Sequence, residues 1–350
     1  MNRTDWNRVP DVAGEPNFDN ILTVLQGGVP TRPTLFEFFR NGRVDGRLIG
    51  DRLNDCPEEK RGRLWQIYSF YGGGYDYATF GVPGFAFPTD EVEKLQTRSL
   101  NAGAVIADRA TFDAYPWPDV AAVDYGILDD VAPDVPAGMK LVVNGPGGVL
   151  ENVIQLVGYD NLCYLIVDDE PLVFDIFEAV GSRMVEHYRR AVEHASVGAI
   201  ISNDDWGFKS QTMLSPADMR RFVFPWHKRI VATAHAAGRP AILHSCGNLS
   251  AVMDDVIDDM QFDGKHSYED IIQPVEEAYE QYHGRIAILG GIDMDFVVRA
   301  EPERIYERSK AMLERASGRG GYALGTGNSV PEYVPDDHFF ALIRAALDAR

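Results

Sequence analysis

The sequence predicts an α/β protein built as a (β/α)8 TIM barrel. Eight short apolar runs recur along the 350-residue chain, each followed by glycine or polar residues and most by a helix-like stretch. Runs this short and continuous are typical of strands buried on both faces, as in a parallel sheet. Polar side chains directly follow six runs, where the active sites of such barrels lie. The runs lie at residues 34–38, 103–106, 141–143, 199–201, 241–243, 261–264, 286–289 and 321–324.

Helix signals lie between several of these runs. Ser215-Pro216 supplies an N-cap and a proline at the first helical position, and Gly238 ends the helix that starts there. Glu301-Pro302 and Pro335-Asp336 open two further helices. Alternation of strands and helices predicts a parallel sheet with right-handed crossovers. Eight units favour a closed barrel, and an open doubly wound sheet is the alternative.

We expect a single domain over residues 1–350, with an N-terminal extension at 1–33 and an insertion at 56–90. The insertion is rich in glycine and aromatic residues, a composition that we interpret as a mobile lid over the barrel mouth. Its aromatic side chains surround Gly72-Gly73-Gly74 and are Tyr68, Phe70, Tyr71, Tyr75, Tyr77 and Phe80.

The composition indicates a globular protein and disfavours several classes of binding partner. Hydrophobic residues make up 45% and charged residues 25%, so the chain can bury a large core. The net charge of −20 disfavours binding to nucleic acid or to an anionic bilayer. The polar N-terminus and the lack of an 18-residue apolar span predict a cytoplasmic protein. Three cysteines, Cys56, Cys163 and Cys246, argue against a disulfide framework.

His244 and Cys246 form the strongest candidate metal site. They directly follow the fifth run, and residues two apart in an extended backbone point to the same side. An imidazole nitrogen and a thiolate are both ligands that suit zinc. The alternative is structural, because cysteine is often simply buried and histidine is often a hydrogen-bonded core residue.

Other polar residues at the ends of the runs are candidates for catalysis and substrate binding. Three that follow the fourth and sixth runs are candidate acid–base groups: Asp205, His266 and Glu269. Four others are candidate substrate contacts: Asn144, Asp204, Asp293 and Asn328. Some of these aspartates have an alternative role as helix caps, and His266 and Glu269 as partners in a solvent-facing hydrogen bond.

Five segments, in this order, make the chain from about Leu141 to its end similar to the uroporphyrinogen decarboxylase-like superfamily. They are Leu214-Ser215-Pro216, Phe224-Pro225-Trp226-His227-Lys228, His244-Ser245-Cys246-Gly247-Asn248, Leu289-Gly290-Gly291-Ile292-Asp293 and Gly325-Thr326-Gly327-Asn328-Ser329-Val330-Pro331. The resemblance implies a (β/α)8 barrel with one of two chemistries. One is cofactor-free decarboxylation of uroporphyrinogen, and the other is methyl transfer between a corrinoid protein and a thiol or folate acceptor.

The sequence differs at one point from the family's decarboxylase pattern and at another from its methyltransferase pattern. The decarboxylase pattern has an N-terminal Arg-Gln-Ala-Gly-Arg-Tyr segment that binds substrate carboxylates, whereas the first run here reads Arg32-Pro33-Thr34-Leu35-Phe36-Glu37-Phe38-Phe39. The methyltransferase branch implies a His-x-Cys pair and a distant cysteine as zinc ligands. His244 and Cys246 match the pair, but Asn328 stands at the distant position. An oxygen ligand from Asp205, Glu269 or Asn328 is then expected to replace the missing sulfur.

The resemblance therefore implies a methyltransferase with Zn2+ at His244 and Cys246. We expect a separate partner protein to bring the corrinoid, because the chain has no Asp-x-His-x-x-Gly pattern. If the acceptor is a folate, Asp204, Asp205 and Asp293 are expected to bind the pterin. One alternative is a metal-free lyase, a decarboxylase of a carboxylated small molecule that uses Asp205, His266 and Glu269. Another is a barrel that binds a ligand without turnover.

Overall fold

The computed structural model describes residues 4–89 and 99–350, and over these residues it has one sheet of seven parallel strands. Each strand pairs with the next one along the chain, so the spatial order equals the chain order. A doubly wound sheet reverses its strand order at a switch point, and this sheet does not. The strands are β1 Tyr77–Gly81, β2 Lys140–Asn144, β3 Val197–Asn203, β4 Ala241–His244, β5 Gly264–His266, β6 Ala287–Leu289 and β7 Tyr322–Ala323.

Helices fill the connections between the strands, as expected for parallel crossovers. Short 3-10 turns lie at Val120–Ala122 and Ala132–Asp134, and π-helical turns lie at Met219–Val223 and Asp255–Asp259. The α-helices are α1 Phe18–Leu25, α2 Gly42–Ile49, α3 Glu58–Gly72, α4 Arg109–Ala114, α5 Ile127–Asp130, α6 Val149–Val157, α7 Tyr159–Asp168, α8 Glu170–Ala191, α9 Pro216–Asp218, α10 Phe224–Ala236, α11 Val275–Tyr282, α12 Met294–Arg299, α13 Pro302–Ala316 and α14 Asp336–Leu347.

The first predicted run, residues 34–38, is not a regular strand. Leu35 makes one parallel bridge with Leu324, just beyond β7. Towards β1 the link is a side chain: the Glu37 N–H donates to the Tyr77 hydroxyl at 2.8 Å, and that hydroxyl donates to the Glu37 carbonyl at 2.6 Å. The segment thus joins the two outer strands of the curled sheet without a full ladder on either side.

Tyr77→Phe tests how much this link contributes. It leaves a fully buried N–H and a buried carbonyl of Glu37 without their partner, so we expect the free energy of unfolding to fall by about 1–3 kcal/mol. Tyr75→Phe is the matched control, because the buried Tyr75 hydroxyl has no hydrogen-bond partner of normal geometry among the described residues. Urea unfolding of both variants measures the difference, and an equal loss in the two would contradict the link.

The predicted lid at residues 56–90 is wrong for most of its length, and residue 90 lies outside the described residues. The span contains α3 and β1, and Phe70, Tyr75 and Tyr77 are fully buried. The aromatic residues cluster because they fill the core. Gly72 is needed for close packing, since a Cβ there would lie 1.9 Å from the Leu48 carbonyl oxygen.

Two other predicted segments, the run at 103–106 and the extension at 1–33, also differ from the prediction. Residues 103–106 form a loop rather than a strand, and the amides of Val105 and Ile106 both donate to the Leu156 carbonyl. Of the predicted extension at 1–33, residues 1–3 lie outside the described residues. The rest includes α1, whose Phe18 and Leu25 are buried in the core, so this part belongs to the packed domain.

Among residues 4–89 and 99–350, no helix combines the length and the apolar character that a bilayer crossing requires.

The parallel strands all end at one edge of the sheet, and this edge positions the candidate site. His244 is the last residue of β4, and His266 is the last residue of β5 beside it. Asp205 follows the end of β3, and Thr326 and Asn328 follow β7.

Candidate metal centre

Asp205, His244 and Cys246 come together at the carboxyl edge of the sheet. Their potential ligand atoms all lie within 4.8 Å of one another, and His244 Nε2 is 3.8 Å from Cys246 Sγ. The backbone N–H of Cys246 donates to Asp205 Oδ1 at 2.9 Å, which ties the two loops together. Gly247 has φ +83°, and a Cβ there would lie 2.1 Å from the Gly207 carbonyl oxygen. Glycine at this position therefore allows the chain to turn directly after Cys246.

A chain of hydrogen bonds determines the tautomer of His244. His266 Nε2 lies 3.0 Å from the Thr326 carbonyl oxygen, which can only accept, so this nitrogen carries a hydrogen. Burial lowers the pKa of His266 to about 3, so its ring is neutral and Nδ1 is an acceptor. His244 Nδ1, 2.8 Å away, must then be the donor. The lone pair of His244 Nε2 consequently faces Cys246, which is the form that binds a metal.

His266 is therefore not available as the predicted acid–base group. Its side chain is fully buried, and both ring nitrogens are occupied, by His244 and by the Thr326 carbonyl. A Cβ on Gly290 would lie 2.9 Å from the His266 ring, so a glycine allows the ring to sit where it does. We assign His266 to the orientation of His244.

Asn328 contacts the sulfur as a donor. Its Oδ1 accepts from the Ser329 N–H at 2.7 Å, so the amide nitrogen is the atom that faces Cys246 Sγ, at 3.1 Å. This orientation contradicts the expectation that Asn328 supplies an oxygen ligand. An amide donor next to a thiolate stabilises its negative charge.

The donor set fits zinc. Burial, and secondarily the charge of Asp205, raises the pKa of the Cys246 thiol to about 12, while burial lowers that of His244 well below its usual value. Without a cation, the pair is therefore neutral at pH 7. Zinc bond lengths place tetrahedral nitrogen and sulfur ligands about 3.5 Å apart, close to the 3.8 Å between His244 Nε2 and Cys246 Sγ. Of the three predicted oxygen candidates, Asp205 is the one whose carboxylate lies in the cluster with His244 and Cys246.

Asp204 is a structural residue, contrary to the prediction that it contacts substrate. It is fully buried, and its oxygens accept the N–H groups of Leu150 and Glu151 at 2.9 and 2.8 Å. The second oxygen also lies 2.8 Å from Nε2 of the buried His227. Asp204 thus caps α6 and joins it to α10. A capping role was the predicted alternative for Asp204, but the helix that it contacts is the one after β2 and not one that begins at Asp204.

The other predicted substrate contacts lie at different places around the mouth. Both oxygens of Asp293 accept backbone amides, from Phe296 and Asp270, so it also acts as a cap. Asn144, at the end of β2, lines a cavity of about 390 Å³. Its Oδ1 is buried and has no hydrogen-bond partner among the described residues, so it remains a candidate substrate contact. Glu269 lies between two further cavities, of about 220 and 930 Å³, outside the three-residue cluster.

Two ionisable residues near the site were not predicted. Lys265 is fully buried next to the ring of Tyr268, with Nζ 4.2 Å from the ring centre, and burial lowers its pKa to about 8. Glu151 accepts the Gly148 N–H at 2.8 Å, and burial with the charges of Asp204 and Asp205 raises its pKa to about 8. For Lys265 the available signal was a lysine directly after the sixth apolar run, a position that the structure includes in β5. The sequence carried no comparable signal for Glu151.

Comparison with known proteins identifies relatives over much of the chain. A profile of the uroporphyrinogen decarboxylase (URO-D) family matches residues 140–348. A uroporphyrinogen decarboxylase from Chloroflexus aggregans is 28% identical over 180 residues, which are 48% of this chain and 46% of that protein. Another, from Burkholderia thailandensis, is 25% identical over 298 residues, which are 78% and 72% of the two chains. The match thus spans about half the length of the Chloroflexus relative.

A solved structure, a methyltransferase from Methanosarcina mazei, has a similar fold. It superimposes with a TM-score of 0.67 over 93% of this chain and 97% of that chain, at 16% sequence identity. The likeness extends to the part of the chain before residue 140, where the family profile does not match. Together with the seven-stranded parallel sheet, it supports a TIM-barrel-like α/β fold.

Proposed function

The chain belongs to the uroporphyrinogen decarboxylase (URO-D) family, and on this basis we propose that it is a methyltransferase with a zinc site. It would move a methyl group between a corrinoid, carried by a separate protein, and a thiol or folate acceptor. The observation that carries the proposal is the cluster of Asp205, His244 and Cys246, with the His244 lone pair directed at the sulfur.

Each side chain in and around the cluster has a different proposed role. Asp205, His244 and Cys246 would hold the metal. When bound, zinc would supply the positive charge that keeps an acceptor thiol deprotonated at neutral pH. His266 holds the His244 ring through its Nδ1, and Asn328 donates to the Cys246 sulfur. The free Oδ1 of Asn144 offers an acceptor for a polar group of the substrate.

Two features of the N-terminal segment favour this chemistry over decarboxylation of a polycarboxylated substrate. Arg32 is paired with Asp76, and the buried Arg40 is paired with Asp45, so neither guanidinium is free to bind substrate carboxylates. Glu37 lies between them in the chain and is fully buried.

The state of His266 also disfavours a metal-free lyase. Such an enzyme would need His266 as an acid–base group, but both of its ring nitrogens are occupied.

Methyl transfer from methylcobalamin tests the proposal directly. Zinc-loaded protein is incubated with methylcobalamin and either a panel of small thiols or tetrahydrofolate, and products are identified by mass spectrometry. We expect a methylated acceptor with the native protein and none after chelation, with activity restored by added zinc.

The curated relatives bear the name of a decarboxylase, so the same protein is also tested with carboxylated substrates. Release of CO2 that is insensitive to chelation would instead identify a metal-free lyase. If no acceptor is methylated and the compounds that bind are recovered unchanged, the result would favour a barrel that binds a ligand without turnover.

A further inference from the structure

Glu37 is a buried carboxyl group that a chain of hydrogen bonds links to Cys246, and the proposed chemistry does not use it. It lies in the segment between β7 and β1 and is fully buried. One oxygen accepts the Thr326 N–H at 2.8 Å, and the other lies 2.6 Å from the Thr326 hydroxyl. Thr326 in turn precedes Asn328, whose amide donates to Cys246 Sγ.

The hydrogen bonds of Thr326 determine the protonation of Glu37. The Thr326 hydroxyl lies 2.6 Å from Glu37 Oε2 and 2.6 Å from the Asn328 carbonyl oxygen. A hydroxyl has one hydrogen, and the carbonyl can only accept. Both contacts are hydrogen bonds only if Thr326 donates to Asn328 and Glu37 carries a proton that it donates to Thr326. With an ionised Glu37, one of the two contacts would bring together two acceptors without a hydrogen.

We propose that Glu37 is a positioning residue whose neutral form directs the Thr326 hydroxyl to the Asn328 carbonyl and so holds the Asn328 amide against the Cys246 sulfur. Loss of the Glu37 proton turns the hydroxyl back to the carboxylate. The Asn328 carbonyl then loses its donor, and the amide is no longer held against the sulfur. The importance of this switch for methyl transfer rests on the proposed function, whereas the hydrogen-bond chain is a property of the protein alone.

The surroundings of Glu37 allow it to titrate near neutral pH. Burial raises its pKa to about 7, against the opposing effects of Thr326 and of the Arg40 charge. Arg40 remains charged and is bound to Asp45. Three buried tyrosines also face the carboxyl group: Tyr75 just before β1, Tyr77 in β1 and Tyr322 in β7. Burial raises the pKa of each above its usual value. Beyond Thr326, His266 stays neutral because its pKa is about 3. Among these groups, Glu37 is the one that changes charge between pH 5 and 9.

Infrared spectroscopy of chelator-treated protein tests the switch without any metal. In a Cys56→Ser/Cys163→Ser background, the S–H stretch reports Cys246 alone, because the chain has three cysteines. The carbonyl stretch of protonated carboxyl groups reports Glu37 in the same spectra. We expect both bands to change together along a titration centred near pH 7.

Variants assign the two bands. Glu37→Gln keeps a neutral donor, so we expect the S–H band to lose the part of its change that is centred near pH 7, whereas Lys265, whose pKa is about 8, still acts on the thiol. Thr326→Val removes the hydroxyl, so the same part of the change should be lost, with the low-pH band already at the position that follows loss of the Glu37 proton. Glu151→Gln removes the second buried carboxyl group whose pKa is raised and identifies its share of the carbonyl band. An S–H band that is constant in the unsubstituted background, or that titrates identically with and without Glu37→Gln, would overturn the proposal.

Unfolding measurements give a second test that needs no thiol signal. The Glu37 carboxyl ionises near its usual value of 4.5 when unfolded and near 7 when folded. Between these pH values the folded state binds more protons, so stability falls as pH rises. We expect the wild type to lose stability relative to Glu37→Gln across this window and to keep a constant difference above it. A difference that does not depend on pH would show that Glu37 does not carry the proton. Because both tests use metal-free protein, their outcome is independent of whether methyl transfer occurs.

Discussion

Cys246→Ser is expected to abolish stoichiometric zinc binding and to lower the rate of methyl transfer at least about a hundredfold, since metal catalysis contributes several kcal/mol. Cys246 supplies the sulfur of the cluster, and a serine hydroxyl is a much poorer zinc ligand at neutral pH. His244→Ala should have a similar effect, because it removes the nitrogen whose lone pair faces the sulfur. Metal content by mass spectrometry and methyl transfer from methylcobalamin measure the two effects.

Cys163→Ser is the matched control for this experiment. Cys163 is an exposed thiol in α7 and lies outside the cluster, so its replacement should leave both zinc content and activity unchanged. Full zinc occupancy in Cys246→Ser, or equal losses in the two variants, would show that Cys246 is not a ligand.

Asp204→Ala is expected to cause the largest loss of stability, about 3–5 kcal/mol, the usual cost of removing one partner of a buried pair. The substitution leaves His227 and the amides of Leu150 and Glu151 without an acceptor in a site that water does not reach. Urea unfolding, with the slope of the transition checked for two-state behaviour, measures the change.

Asp259→Ala provides the comparison for that measurement. Asp259 forms an ion pair with Lys228, and both side chains are more than half exposed. Its removal should cost less than about 1 kcal/mol. A loss in Asp204→Ala no larger than in Asp259→Ala would contradict a structural role for Asp204 and reopen its role in substrate binding.

The sequence was sufficient to predict an α/β fold with a parallel sheet and the centre of the site, whereas seven strands rather than the expected eight form the sheet over the described residues. The later runs matched or overlapped β2 to β7 within a few residues, because buried parallel strands have a distinctive continuous apolar pattern. His244 and Cys246 were predicted as ligands from their spacing at a strand end, and the structure brings them together with Asp205. The family resemblance, made on five motifs after residue 141, is confirmed by the profile match over 140–348.

The incorrect predictions have two physical causes. Aromatic residues between 56 and 90 suggested a lid, but composition does not distinguish a mobile cover from a core strand such as β1. The roles of His266 and Asp204 depend on partners at distant positions, Thr326 and His227, which only the folded chain brings within hydrogen-bond distance. Glu37 was not predicted as a site residue for the same reason, because its partner Thr326 is 289 positions away in the chain.

Zinc K-edge X-ray absorption on the zinc-loaded protein tests the central claim most directly, because it reports the atoms bound to the metal. We expect one zinc per chain with a single sulfur ligand from Cys246, the remaining ligands being nitrogen or oxygen, and loss of the sulfur contribution in Cys246→Ser. A protein that binds no zinc, or a spectrum that contains only nitrogen and oxygen ligands, would contradict the assignment of Asp205, His244 and Cys246 as a metal centre.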